Sequence, residues 1–357
     1  MREFKILAVV LFFTAVVYWG VEPFAHSQMH PHVAPADFDF AKGDVAYAKE
    51  VSQKAQELHT KAKEELKKLE QANADKDKIK EAQKQIDAAQ KEVVAAQDHL
   101  ATITTFWKEL EPMWALKGNA VKGAETFLSA GCTGCHSVSS QGMPAPMDNA
   151  SASATFGVVP PDLSTAGALY DKHFLAALIK DPTKALKVEH KFNETRPHPM
   201  IQFFGLGGNL DQEVIDIVAY LQSIAPLAPL DDKKAYADAC QRCHDIKYDN
   251  LLSTTNKDAL KAYMGTVPPD LSMMIRSRSV EYLNTFINNP QKQLLGTSMP
   301  RVGLSEKAQN QVVAYMEKVG DRKKAEREDL GYKLIGYMAL FTLLAYLWKV
   351  KIWREVH

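Results

Sequence analysis

The sequence predicts an all-α protein, built from a helical hairpin and two copies of one helical domain, with an apolar helix towards each end. Three observations lead to this prediction. Residues 43–105 place apolar side chains three and four positions apart, which is the spacing of one face of a helix. A pattern of five residues that contains two cysteines occurs twice. Long uncharged, mostly apolar runs lie near both ends of the chain.

Composition limits the classes of protein that fit. A chain of 357 residues is long enough for two or three domains, and 46% of its residues are hydrophobic, enough for a packed core. Its 43 Lys and Arg residues balance 43 Asp and Glu residues, so no bulk positive charge favours nucleic-acid binding. All four cysteines belong to the repeated pattern, which leaves none for a disulfide framework.

Residues 4–22 are predicted to form an N-terminal transmembrane anchor. Positions 6–21 carry no charge and are mostly apolar, and Arg2 and Lys5 precede them. Positive charge stays on the cytoplasmic side of a membrane, so the chain should leave the membrane outward after this helix. The alternative is a signal peptide that is cleaved near a weak small-x-small site at 25–27.

Residues 330–348 are predicted to form a second transmembrane helix, about 28 Å long at about 1.5 Å per residue. Lys349, Lys351 and Arg354 follow it directly and indicate a cytoplasmic flank. A buried core helix is the alternative. With both helices in the cytoplasmic (inner) membrane, the residues between them are expected in the periplasm.

Residues 43–105 are predicted to form a helical hairpin, or coiled-coil arm. They contain no proline and no glycine after Gly43, and their apolar stripe has coiled-coil spacing. The stretch 73–77 interrupts the stripe and offers an aspartate as a helix N-cap. We expect two antiparallel helices of about 28 residues, each about 42 Å long. The alternative is one continuous helix that pairs with another subunit.

Two tandem domains are predicted at 118–228 and 229–322. The hexapeptide Val-Pro-Pro-Asp-Leu-Ser occurs at 159–164 and again at 267–272, at the offset of 108 residues that also relates the two cysteine patterns. Later motifs are related by an offset of 95, so the first copy carries about a dozen additional residues. The run 225–230 is the predicted linker.

The cysteine pattern is the attachment signal for c-type haem. Its copies are Cys132-Thr-Gly-Cys135-His136 and Cys240-Gln-Arg-Cys243-His244. The two thiols of each copy can add to the two vinyl groups of one porphyrin, and the adjacent histidine then lies beneath the iron. A zinc half-site or a redox-active thiol pair is the alternative, but both copies include the histidine and no cysteine remains to complete a zinc site. Two covalently bound haem c groups are therefore expected.

The iron of each haem needs a second axial ligand. Met200 and Met299 are the candidates, because each lies beside a proline and before a Phe/Val-Gly-Leu loop. The competing residues are Met143, Met147, His190 and His198 in the first copy and Met273 and Met274 in the second. The carbonyls of Pro161 and Pro269, in the repeated hexapeptide, are candidate acceptors for the other ring nitrogen of the haem-binding histidines. An ordinary turn is the alternative for these prolines.

Each repeat resembles a class I cytochrome c domain, on the haem pattern and on Phe127, Tyr220, Tyr236 and Tyr315, which match that family's packing aromatics. The segment 268–282, with the C-terminal apolar helix and its basic tail, resembles cytochrome c1 of bc-type complexes. The whole chain is similar to the di-haem cytochrome c subunit of bacterial cytochrome bc complexes, of the kind in Campylobacter and its relatives. The resemblance implies that Arg276 meets a haem propionate.

The same resemblance implies an electron-transfer subunit of a quinol–cytochrome c oxidoreductase that is not catalytic alone. Its expected partners are cytochrome b and a Rieske iron–sulfur protein, within a membrane complex that is dimeric in this family. It would pass electrons to a periplasmic cytochrome c or a terminal oxidase. The di-haem subunit of a cbb-type cytochrome c oxidase is one alternative, and a di-haem peroxidase is another.

Overall fold

The computed structural model describes residues 2–29, 33, 35–72 and 74–356. Helices account for 69% of the described residues, and within those ranges extended pairing is limited to isolated bridges. The prediction of an all-α fold is therefore confirmed. The chain divides into two compact units, Met1–Ala36 and Asp37–His357.

The first unit is one apolar helix interrupted by a wider turn. Helix α1 (Arg2–Val16) leads into a π-helical turn (Val17–Val21) and then into α2 (Glu22–Met29). The sequence suggested an end near residue 22, but the helix continues past Pro23. Proline has no N–H to donate and crowds the carbonyl four residues before it, so a π-helical turn at this point relieves the conflict. The most apolar 18 residues of the span Phe4–Ala25 have a mean hydropathy of 2.1, and the span is long enough to cross a membrane.

Two long helices, α3 (Phe40–Gln71) and α4 (Lys76–Leu110), open the second unit. They contain 32 and 35 residues and are longer than expected. The additional residues at the start of α3 and at the end of α4 pack into the core. The Asp39 carboxylate caps the first helix by accepting from the backbone N–H of Lys42, and the Asp75 carboxylate caps the second.

The two helices run antiparallel. The indole Nε1 of Trp107, near the end of α4, donates to the carboxylate of Asp44, near the start of α3, at 3.1 Å. The chain reverses between Gln71 and Lys76. The predicted interruption of the apolar stripe is 73–77, and its first residue, Asn73, lies outside the described residues.

The remaining helices fall into two similar series. The first series is α5 (Ala120–Ser129), α6 (Asn149–Phe156), α7 (Ala166–Leu169), α8 (Lys172–Lys180), α9 (Pro182–Leu186) and α10 (Leu210–Ile224). The second is α11 (Asp232–Cys240), α12 (Lys257–Met264), α13 (Met274–Ser277), α14 (Val280–Asn288), α15 (Pro290–Gln293) and α16 (Glu306–Gly320). The starts of α6 to α9 are related to those of α12 to α15 by the same offset of 108 residues that relates the sequence motifs.

Backbone pairing joins the two series. Tyr170 and Leu304 form an antiparallel bridge, and the N–H of Ser305 donates to the carbonyl of Leu169 at 2.9 Å. Gly303 makes this approach possible. Its φ is +76°, and a Cβ there would lie 2.1 Å from the ring of Phe174.

The additional residues of the first copy form a second contact between the series. Phe192 packs on Tyr263 of α12, with ring centroids 5.1 Å apart. The Arg196 guanidinium donates to the carbonyls of Ala262 and Tyr263, and the Lys191 ammonium donates to that of Met264 at 2.8 Å. These side chains satisfy carbonyls that the last turn of α12 leaves unpaired.

The last helix, α17 (Lys324–Val356), follows α16 after three residues. It is longer than the predicted span 330–348, since the charged residues before position 330 are helical as well. The most apolar 18 residues of its span Lys324–Glu355 have a mean hydropathy of 1.5, and none of them is buried. The Arg327 guanidinium forms two hydrogen bonds of 2.8 Å with the Asp321 carboxylate, which fixes the first turn of the helix to the end of α16.

Candidate haem-binding sites

Both cysteine motifs form the same closed turn. The backbone N–H of His136 donates to the carbonyl of Cys132 at 3.0 Å, and that of His244 donates to Cys240 at 3.0 Å. The thiols and the imidazole of each motif therefore project from one tight turn. In the first copy Gly131, with φ +73°, starts the turn; in the second the turn continues directly from α11.

The imidazole of each motif is held by a proline carbonyl. His136 Nδ1 lies 2.9 Å from the carbonyl oxygen of Pro161, and His244 Nδ1 lies 2.8 Å from that of Pro269. A carbonyl oxygen only accepts, so Nδ1 carries the proton and donates it. Nε2 is then the unprotonated nitrogen that can bind a metal, in an orientation set by the hydrogen bond.

Electrostatics keep both imidazoles in the ligating form. Burial lowers the pKa of His136 and of His244 below the ordinary value for histidine. The proline carbonyls act in the opposite direction but do not outweigh burial. Neutral imidazole is the form that coordinates metals.

The repeated hexapeptide is explained by the turn that it builds around the proline carbonyl. In the first copy the Asp162 carboxylate accepts from the backbone N–H of Ser164 at 2.7 Å, and in the second Asp270 accepts from Ser272 at 2.9 Å. The following leucine ties each turn to the haem motif, since the Leu163 N–H donates to the carbonyl of Ser137 at 2.9 Å. In the second copy the Leu271 N–H donates to the carbonyl of Asp245, also at 2.9 Å.

The candidate axial methionines, Met200 and Met299, are both partly buried. In the first copy His198 competes with Met200, but its ring nitrogens already have protein partners. His198 Nδ1 lies 3.1 Å from the backbone nitrogen of Met200, and Nε2 lies 3.0 Å from the hydroxyl of Tyr263.

The other competitors lie in different surroundings. Met143 packs against the core of the first copy beside Val138, and Met147 is half-buried. The pKa of His190 is lowered by burial and by Lys191. In the second copy Met273 is 41% exposed. Met274 packs against the core, where the Ser277 hydroxyl lies 3.5 Å from its sulfur.

Arg242, inside the second motif, is a functional candidate that the sequence did not single out. Its Nε is buried without a hydrogen-bond partner among the described residues. Burial raises the pKa of Cys243 in its own motif, and the charge of Arg242 partly offsets this effect. Burial lowers the pKa of His136 and of His198 in the first copy, and the charge of Arg242 lowers both further. Arg242 therefore lies near enough to the first motif for its charge to act on His136. A haem propionate would supply the acceptor that its buried Nε lacks.

The residues present fit haem c. All four cysteines are free thiols, two to each turn, and each turn offers an unprotonated histidine nitrogen. Cys132, Cys135, Cys240 and Cys243 would hold the porphyrins, and His136 and His244 would each bind an iron. No cluster of three or more metal-binding side chains of the zinc type occurs within the described ranges.

Arg276, expected to meet a haem propionate, lies exposed on α13. Its charge contributes to the low pKa of Asp321, after the hydrogen bond from Arg327. Arg278 lies over the ring of Tyr282, 5.5 Å from the ring centre.

Comparisons with known proteins identify the first copy. A family model for cytochrome c matches residues 120–225, from the first residue of α5 to one residue beyond α10. The chain thus contains a c-type cytochrome domain, and this class of domain binds haem c covalently and transfers electrons. Searches among curated proteins and among solved structures found no significant match.

Proposed function

We propose that this chain is the di-haem electron-transfer subunit of a bc-type quinol–cytochrome c oxidoreductase. It accepts electrons from the Rieske iron–sulfur protein and passes them to a periplasmic cytochrome c or a terminal oxidase. One observation carries the proposal: the second copy repeats the haem-binding geometry of the matched domain and continues into an apolar helix. Cytochrome c1 has this combination, to which the first copy adds a second cytochrome domain.

The geometric repetition supports two tandem cytochrome c domains. The His244–Pro269 contact repeats His136–Pro161, and the bridge between Ile246 and Leu251 repeats the one between Val138 and Met143 at the same offset. A family model matches only the first copy, yet each bond that orients its histidine has a counterpart in the second. Each bound haem supplies an iron that gains and loses one electron.

Methionine is the proposed second axial ligand in both copies. The engaged nitrogens of His198 favour Met200, since ligation by His198 would break the bond to Tyr263. The exposure of Met273 and the packing of Met274 favour Met299. A histidine–methionine pair gives a higher potential than two histidines, which suits acceptance of electrons from a Rieske protein.

The membrane arrangement follows from the two terminal helices. Both are proposed to span the inner membrane, with the cytochrome domains in the periplasm. Arg327, in the first turn of α17, pairs with Asp321 at the end of the second copy, and the adjacent Arg322 donates to the carbonyl of Tyr248 at 3.0 Å. This attachment keeps the second copy near the membrane, so the second copy is proposed to face the Rieske protein. The first copy is proposed to face the periplasmic cytochrome c or oxidase that accepts the electrons.

Purification from native membranes tests the proposal. A tag at the C-terminus of the full chain is expected to recover a cytochrome b and a Rieske protein in equal amounts. The control is the double variant Cys240→Ala, Cys243→Ala, checked for its haem content. Partners that are still recovered with this variant do not depend on an assembled second copy. Recovery of a haem–copper oxidase subunit would instead support a cbb-type oxidase, and recovery of neither set would contradict the proposal.

A further inference from the structure

A buried cluster of charges lies where the hairpin meets the two cytochrome copies. Its centre is Asp44 of α3, 3% exposed, and its main partner is Arg301, 1% exposed, in the loop between α15 and α16. Lys187, which follows α9, completes it. Three parts of the chain that are distant in sequence each supply one charged group.

The Asp44 carboxylate accepts hydrogen bonds from each of the three side chains around it. Arg301 Nη1 donates to Asp44 Oδ2 at 2.8 Å, and Nη2 donates to Oδ1. The Lys187 ammonium donates to Oδ1 at 2.8 Å, and the indole of Trp107 donates to Oδ2 at 3.1 Å. Two charge-assisted bonds from one guanidinium fix its orientation as well as its position.

The rest of Arg301 is held just as firmly. Its Nε donates to the carbonyl of Asn288 at 2.8 Å, and its backbone N–H donates to the carbonyl of Leu186 at 2.9 Å. The guanidinium also lies 5.0 Å from the ring centre of Phe40. Backbone and side chain of this residue are thus bound to α9, α14 and the base of the hairpin.

Met299 lies two residues before Arg301, with Pro300 between them. Two residues span at most about 7 Å, and the φ angle of the proline is fixed. The anchored Arg301 therefore restricts where the backbone of Met299 can lie.

The first copy lacks this anchor. Gln202 stands two residues after Met200, where the second copy has Arg301, and it is only partly buried. Its neighbours Ile201 and Phe204 are each 79% exposed. The two methionine segments are therefore supported differently within one molecule.

We propose that Asp44 and Arg301 are positioning residues for the axial ligand of the second haem: the ion pair holds the Met299 segment in place and makes that ligation depend on the hairpin. The inference rests on the proposed role of Met299. It also gives the hairpin a role in haem ligation, because the first helix of the hairpin supplies the Asp44 carboxylate.

Spectra and potentials of the purified full chain test the proposal. A thioether bound to low-spin ferric haem gives a near-infrared charge-transfer band. Asp44→Asn and Arg301→Gln should weaken or abolish this band for the second haem and lower its potential, while the first haem is unchanged. Lys187→Gln removes a buried positive charge from the same carboxylate without touching the Met299 segment, so both haems should keep their bands.

Three outcomes separate this proposal from the assignment of Met299 itself. If Met299→Leu leaves the band and potential of the second haem unchanged, Met299 is not the ligand and the assignment fails. If Met299→Leu removes the band but Asp44→Asn and Arg301→Gln retain it, the ion pair is only structural and this proposal fails. Should those two variants not accumulate, Arg301→Lys is the substitute, because it keeps the charge but cannot form both hydrogen bonds to the carboxylate. A full band in that variant also contradicts the proposal.

Discussion

The guanidinium of Arg301 and the carboxylate of Asp44 are 257 residues apart in the sequence and form a buried two-bond ion pair, with 2.8 Å between Nη1 and Oδ2. Burial alone would raise the pKa of Asp44, but the attraction of Arg301 and Lys187 outweighs it and holds that pKa well below the ordinary value. The pair links the base of the hairpin to the loop that follows Met299.

Removal of this carboxylate should be costly. Asp44→Ala leaves two cations buried without a counter-charge, so we expect the free energy of unfolding to fall by about 3–5 kcal/mol. Denaturant unfolding of the haem-loaded chain measures the change. Glu50→Ala is the matched control on the same helix: Glu50 pairs with Lys54 in the open, and its loss should cost under about 1 kcal/mol. Equal losses for the two variants would show that Asp44 has no special role.

The low pKa of Asp44 also predicts an acid-sensitive fold. A carboxylate whose pKa is lowered by folding stabilises the protein above its unfolded pKa, about 3.9, and that contribution is lost as the pH falls below it. The charged groups that affect Asp44 or are affected by it are Arg301, Lys187, His99 and Glu189.

The stability difference between the native chain and Asp44→Asn should therefore shrink as the pH is lowered from about 6 to about 3. Because other carboxylates titrate in both proteins, only this difference reports on Asp44. A difference that stays constant over the range would contradict the expected linkage.

Gly303 should tolerate no side chain. Its φ is +76°, and an added Cβ would lie 2.1 Å from the ring of Phe174, so Gly303→Ala combines backbone strain with a steric clash. We expect a loss of about 2–5 kcal/mol. Gly142→Ala is the control, since Gly142 has a φ of +72° with open space around it, and it should lose only about 1–2 kcal/mol. Similar melting temperatures for both variants would show that the clash is relieved cheaply.

The chemistry of the site could be predicted from local patterns. The cysteine motif and the hexapeptide are short, and the bonds between them join residues no more than 26 positions apart, as in the His136–Pro161 and Leu163–Ser137 contacts. The all-α class follows from periodicity, and the family match at 120–225 agrees with the predicted haem attachment in the first copy.

What could not be predicted depends on tertiary contacts. Asp44 looks like one more charged residue of a solvated helix, and nothing near it in the sequence identifies Arg301 as its partner. Arg242 likewise stands at a variable position of its motif. The continuation of the first helix past Pro23 depends on a π-helical turn, which no apolar pattern signals.

The proposed topology rests on the charges beside the two apolar helices. Reporter fusions at both termini should be active only as cytoplasmic reporters, and a fusion at residue 150 only as an exported one. Sequencing of the mature N-terminus is the companion measurement. A start near residue 28 would show cleavage of the first helix and overturn that half of the arrangement.

The haem content of the purified chain tests the central claim most directly. Intact-mass measurement should show two covalent haem additions, and peptide mapping should place one on Cys132 and Cys135 and the other on Cys240 and Cys243. The double variant Cys240→Ala, Cys243→Ala should carry one. A native chain with a single haem, on the first pair only, would contradict the account of the second copy as a cytochrome c domain.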